Sequence, residues 1–202
     1  MSKEKVNVAV LVSGGGTNLQ ALLDSKILKS GKVKLVISNN ENAYALKRAE
    51  NACIPNAAIT KSSNKTAADC EAEMRKLLFE HRIEVIVLAG FLSILSKDFI
   101  KFYENRIINI HPSLIPSFCG KGYYGLKVHE KALEKGVKVT GATTHFVNEI
   151  PDDGKIIMQK AVAVHENDTP QALQKRVMQE AEWQILPASL EWLCEKILKE
   201  KL

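Results

Sequence analysis

Cysteines, aromatic residues and long apolar runs are all scarce in this chain. Its four cysteines, Cys53, Cys70, Cys119 and Cys194, stand apart with no CxxC pair among 202 residues. That excludes a disulfide framework, and reduced structural thiols are expected. The first apolar run, "VNVAVLVS", stops at glycines after Ser13, too short to span a bilayer, and no signal-peptide cleavage pattern accompanies it. A cytoplasmic protein with no membrane partner is expected. Aromatics are 6% of residues, and the formal net charge of +5 is spread along the chain. Without a dense basic tract carrying interleaved aromatics, no nucleic-acid partner is expected. The histidines at 81, 111, 129, 145 and 165 form no i,i+4 pair and have no cysteine partners at ligand spacing, so no metal site is expected. There is no linker, repeat or low-complexity tract.

What the chain does have is alternation. "VNVAVLVS" (6–13) reads as a strand, a glycine loop follows, and "NLQALLDSKILK" (18–29) has helical spacing. Next come a strand at 32–39, a helix at 43–52, a short strand within 55–60 and a helix at 65–82. A near-continuous apolar strand at 83–90 leads to a short helix opened by Ser96, then to strand 106–110. A Gly-rich loop runs to Gly125, a helix stops at Gly136, and two long strand-like segments occupy 137–148 and 155–165. The C-terminus is helical, capped by Asp168 or Thr169, with Pro170 in its first turn and Pro187 marking a break or kink. This is the pattern of an α/β domain, doubly wound, with a mostly parallel sheet and helices on both faces. A single domain over 1–202 is expected. In such sheets ligands bind beyond the carboxyl ends of the strands.

Three polar features fall at those ends. "SGGGTNL" (13–19) joins a strand to a helix with three glycines, exposing backbone amides suited to phosphate. It lacks the GK[ST] of a P-loop, and Leu19 stands where a dinucleotide fingerprint has its third glycine. In "NIHPS", Asn109 and His111 are two positions apart and share one face of a strand. Asn109 offers an amide to a developing oxyanion, and a protonated His111 offers a charged donor. No G-x-S-x-G elbow marks a nucleophile. In "THFVNEIPDDGKII", Glu149, Asp152 and Asp153 sit in a loop between two strands. A carboxylate from that loop brought against His111 would relay protons and hold the imidazole charged. These residues alone also fit a phosphate-binding module with structural His and Asp.

The stretch from "NIHPSLIPS" through "GATTHFVNEIPDDGKII" resembles the signature region of the 10-formyltetrahydrofolate-dependent formyltransferases. "VLVSGGGTNLQALLD", "VIVLAGFLSILS" and "RVMQEAEWQILP" resemble the phosphoribosylglycinamide formyltransferase (GAR transformylase) branch almost end to end. Other branches carry an extra N- or C-terminal domain, for which this chain is too short. The resemblance implies a formyltransferase fold with a Rossmann-like N-terminal half, about 1–105 binding phosphate and about 106–202 catalytic and folate-binding. It implies transfer of a formyl group from 10-formyltetrahydrofolate, the co-substrate, to the amine of glycinamide ribonucleotide (GAR). The products are N-formyl-GAR and tetrahydrofolate, in de novo purine (IMP) biosynthesis. By matched position, Asn109, His111 and Asp152 are implied to be catalytic, and Gly16, Thr17, Asn18 and Glu182 to bind GAR. The folate site is implied to use Lys65, Leu92, Ser93, Ile94, Leu95, Asn109, Asn148, Glu149, Ile150, Pro151 and Asp152. Ser93 stands where many members have Arg, and Lys65 where some have an Arg reaching the folate glutamate tail. Partners are expected to be these small molecules, with the protein a monomer or homodimer. A formyl-folate enzyme acting on a sugar nucleotide would keep Asn109, His111 and Asp152 but would not need the glycine cradle.

Overall fold

One seven-stranded sheet takes up the apolar alternation. The computed structural model describes residues 4–201. The strands are β1 (Val6–Val12), β2 (Gly31–Ser38), β3 (Asn56–Ala58), β4 (Val85–Leu88), β5 (Ile107–His111), β6 (Val139–Phe146) and β7 (Ile156–Ala163), in the order β3-β2-β1-β4-β5-β6-β7. The first five in that order are parallel, and β6 and β7 are antiparallel additions.

The period of two sorts each strand's side chains between two cores. Val6, Val8, Val10 and Val12 of β1, with Val85 and Val87 of β4, face one core. Ala9, Leu11, Ile86 and Leu88 face the other. The first core is covered by α1 (Thr17–Leu23), α2 (Tyr44–Asn51), α5 (Leu126–Lys135), α6 (Pro170–Val177) and α7 (Trp183–Glu200). The second lies under α3 (Ala67–Glu80) and α4 (Lys97–Phe102). The chain therefore has the α/β architecture expected of it. No helix among the described residues is long and apolar enough to cross a membrane.

Several ends form where local chemistry puts them. Ser96 accepts the Phe99 N–H and caps α4, Thr169 caps α6 with Pro170 in its first turn, and Gly136 closes α5 at φ 73°. Two expectations are corrected. The helix expected over 18–29 ends at Leu23, because the Glu191 carboxylate of α7 takes the backbone N–H groups of Lys29 and Ser30 at 2.8 Å. Those amides are satisfied by tertiary contact instead of a helical ladder. Nor does the chain break at Pro187, which lies inside α7; the departure from α geometry comes earlier, as a π turn over Met178–Glu182.

β1 connects to β2 on one side and pairs with β4 on the other, so the strand order reverses between β1 and β4. The crevice beyond their carboxyl ends is where this topology places a ligand. The glycine loop after β1 and the 89–95 segment after β4 meet there, joined by the Leu92 N–H donating to Ser13 Oγ at 2.8 Å.

Candidate active site

β5 brings Asn109 and His111 to that crevice. Ile108 and Ile110 face the core under α7, so Asn109 and His111 project to the opposite side of the sheet. Antiparallel pairing with β6 sets His145 directly across from Asn109. The chain then loops out between β6 and β7 and returns Asp152 to the same place. Two backbone features make that return possible. Asp152 adopts φ 60°, a left-handed conformation that Asp tolerates better than most residues. Gly154 packs so closely on the end of β6 that an added Cβ would stand 1.7 Å from the Phe146 carbonyl oxygen.

The result is a buried polar cluster. Asp152 Oδ2 lies 3.4 Å from His111 Nδ1 and accepts the Gly120 N–H at 2.8 Å. Asp152 Oδ1 accepts from Asn109 Nδ2 at 3.4 Å and lies 3.6 Å from His145 Nε2. Asn109 Nδ2 also reaches His145 Nε2 at 3.1 Å, while His145 Nδ1 faces the Phe146 carbonyl at 2.8 Å. His145 Nδ1–H thus donates to that carbonyl, and Nε2 is left facing Asn109 and Asp152. His111 Nε2 donates to the Phe118 carbonyl at 2.9 Å, and Phe118 itself sits at φ 50°. Both loops that touch His111 hold a non-glycine residue in the left-handed region, a local strain typical of functional sites.

Burial dominates the His111 imidazole and lowers its pKa below the ordinary value; Asp152 and the Phe118 carbonyl oppose this, and His145 adds to it. That shift favours a neutral imidazole at rest near pH 7. Its Nδ1 is the basic face, and a proton arriving there would meet Asp152. For Asp152, burial favours the neutral acid, but His145, His111 and the Gly120 N–H outweigh it and hold the carboxyl below its usual range.

These groups form the floor of a cavity of about 530 Å³. Of the residues implied to bind folate, Leu92, Ser93, Ile94 and Leu95 line one wall, and Asn148, Glu149, Ile150, Pro151 and Asp152 line the other. Leu92, Ile94 and Ile150 are 62%, 79% and 60% exposed, apolar walls with nothing packed on them. Lys65 is the exception: its ammonium pairs with Glu73 on α3 and it does not line the cavity.

The other implied substrate residues meet at the β1 side. Gly16 turns the loop at φ 70° and packs so tightly on α2 that a Cβ there would stand 2.6 Å from Ala45 Cβ. The backbone N–H groups of Gly15, Gly16, Thr17 and Asn18 find no acceptor among the described residues. Arg48 Nε donates to the Gly15 carbonyl at 2.8 Å. Asn18 Nδ2 donates to Glu182 Oε2 at 2.5 Å, and Asn18 Oδ1 is buried without a partner. Burial pushes the Glu182 carboxyl up to about 7, against the Asn18 hydrogen bond. Sequence reasoning passed over His145. Its signal lay in the β5–β6 register, which a single sequence does not print. Among the described residues no group of three or more His, Cys, Asp or Glu gathers as a metal would need.

A family model described as formyl transferase matches residues 6–190. The chain is 44% identical over 189 residues to the trifunctional purine biosynthetic protein adenosine-3 of Gallus gallus, covering 93% of this chain and 18% of that protein. It thus spans about a fifth of that relative's length. It is 37% identical over 198 residues to a phosphoribosylglycinamide formyltransferase of Haemophilus influenzae, covering 96% of this chain and 90% of the relative. A crystal structure of glycinamide ribonucleotide transformylase 1 from Symbiobacterium toebii matches with a TM-score of 0.87 at 36% identity, over 95% of this chain and 89% of that one.

Proposed function

Because the chain belongs to the formyl transferase family, we propose that it moves the formyl group of 10-formyltetrahydrofolate onto the free amine of GAR. The observation that carries this reading is the meeting of Asn109, His111 and Asp152 on the floor of one apolar-walled cavity. The glycine loop is tied to that cavity's wall by the Ser13–Leu92 contact.

In this reading the flat pterin lies between the 91–95 and 147–152 walls, and the GAR phosphate sits on the Gly16–Asn18 amides. Glu182 and the unpartnered Asn18 Oδ1 meet polar groups of the same substrate. The amine attacks the formyl carbon, and the carbonyl oxygen becomes an oxyanion. Asn109 turns an N–H from Asp152 or His145 toward it; one such donor contributes roughly 3–4 kcal/mol to lowering a barrier. The amine proton passes to His111 Nδ1, giving an imidazolium held between Asp152 and the Phe118 carbonyl. It is then delivered to N10 as the C–N10 bond breaks, so the proton lost by the amine is gained by the leaving folate. Holding both substrates in line supplies a further large share of the acceleration.

Purified protein supplied with GAR and 10-formyltetrahydrofolate should release tetrahydrofolate, followed by the absorbance change of the folate. Turnover on a different amine, with none on GAR, would replace the substrate assignment while keeping the chemistry.

A further inference from the structure

The wall formed by residues 91–95 is a partition with open space on both sides. Phe91, Ser93, Ile94 and Leu95 line the 530 Å³ cavity on one face and a second cavity of about 230 Å³ on the other. Leu95 is buried in the core under α3 and α4 and Phe91 packs against it, but Leu92 and Ile94 between them are 62% and 79% exposed, so packing anchors only the ends of this segment. Polar pins hold the rest. Ser13 Oγ takes the Leu92 N–H, and Asn39 Nδ2 donates to Ser93 Oγ at 2.7 Å. The third pin is a charge. Glu71 lies on the buried stripe of α3 beside Cys70, Met74 and Leu78, where an apolar residue is the usual choice. No cation pairs with it among the described residues. Its two carboxylate oxygens are both used on Ser96: one accepts the Ser96 N–H at 2.6 Å and the other accepts the Ser96 hydroxyl. That hydroxyl in turn accepts the Phe99 N–H that starts α4.

From this geometry we infer that Glu71 is a positioning residue for the formyl donor, acting through Ser96 to hold the partition against collapse into the cavity behind it. The inference rests on the folate reading of the larger cavity. Glu71 touches no part of that cavity itself; it sets the distance between its two walls. Losing it loosens the junction of the partition with α4 and leaves the glycine loop undisturbed, so its effect falls on one substrate and not the other.

The test is Glu71→Ala, with Glu71→Gln as a volume-preserving companion, each checked for a folded state by thermal melting below which all assays are run. In Glu71→Ala, KM for 10-formyltetrahydrofolate and the Kd of a non-transferable folate analogue should rise about tenfold, the fold-change of one lost charge-assisted hydrogen bond. KM for GAR should stay unchanged, and Glu71→Gln should lie between. Adding Ser96→Ala to Glu71→Ala should add nothing. Unchanged analogue binding, or an equal rise in both KM values, overturns the role of Glu71. A wild-type protein that binds no folate analogue overturns the functional reading itself.

Discussion

Two carboxyl groups in this protein each accept from an asparagine amide, and their surroundings drive them in opposite directions. Glu182 is buried with a single donor, Asn18, and its pKa rises to about 7. Asp152 is also partly buried but faces two imidazoles, the Gly120 N–H and Asn109, and its pKa falls. The asparagine contact is common to both, so it does not set the charge. The remaining neighbours do: imidazoles and a backbone N–H face Asp152, and nothing comparable faces Glu182. The crevice thereby holds a carboxyl of about neutral pKa where the nucleotide would lie and a firmly anionic one where the proposed proton transfer occurs.

The comparison breaks most readily at Asp152. Asp152→Asn keeps the shape and removes the charge, so turnover should fall by about a thousandfold or more while both substrates still bind. Near-normal turnover, measured at saturating substrates, would remove Asp152 from the proton transfer. Glu182→Gln sharpens the other side. A raised folded-state pKa means the folded protein favours the protonated form. That stabilisation is complete below pH ~4.5 and lost as pH rises through about 7. Relative to Glu182→Gln, wild type should therefore lose up to roughly 3 kcal/mol across that window. Chemical denaturation of both proteins over a pH series reads the difference, and parallel curves would show that Glu182 is not buried as described. The smallest effect concerns His111. Burial lowers its pKa, so the acid limb of kcat/KM should lie below pH ~6.5. A limb above that value would mean that Asp152 outweighs burial.

Much of the fold was readable because it is local. The period of two, the Ser96, Thr169 and Gly136 caps and the Asn109/His111 spacing each depend on residues within a turn or a strand. What escaped depends on distant partners. α1 stops early because a carboxylate 162 positions away captures the amides that follow it. Asp152 meets Asn109 across 43 positions. The sequence names Asp152 as a candidate through resemblance, but its arrival needs a left-handed residue and a glycine without room for a Cβ. His145 was hidden in a pairing register. Lys65 was aligned by type with a folate-tail residue, yet Glu73 on the next helix claims its charge first.

Gly154 has a consequence for how such a protein changes over generations. With no room beside the Phe146 carbonyl, the base of the 147–153 loop is a neck of set width, and Asp152 stands at that neck. Glu149 and Ile150 sit at the open tip, where exchanges meet solvent and ligand instead of core. In the proposed reading, substitutions at the tip would resculpt the surroundings of the formyl donor and leave the Asn109–His111–Asp152 corner where it was. Preference for one carrier over another would then drift at the tip while the proposed chemistry stayed in register.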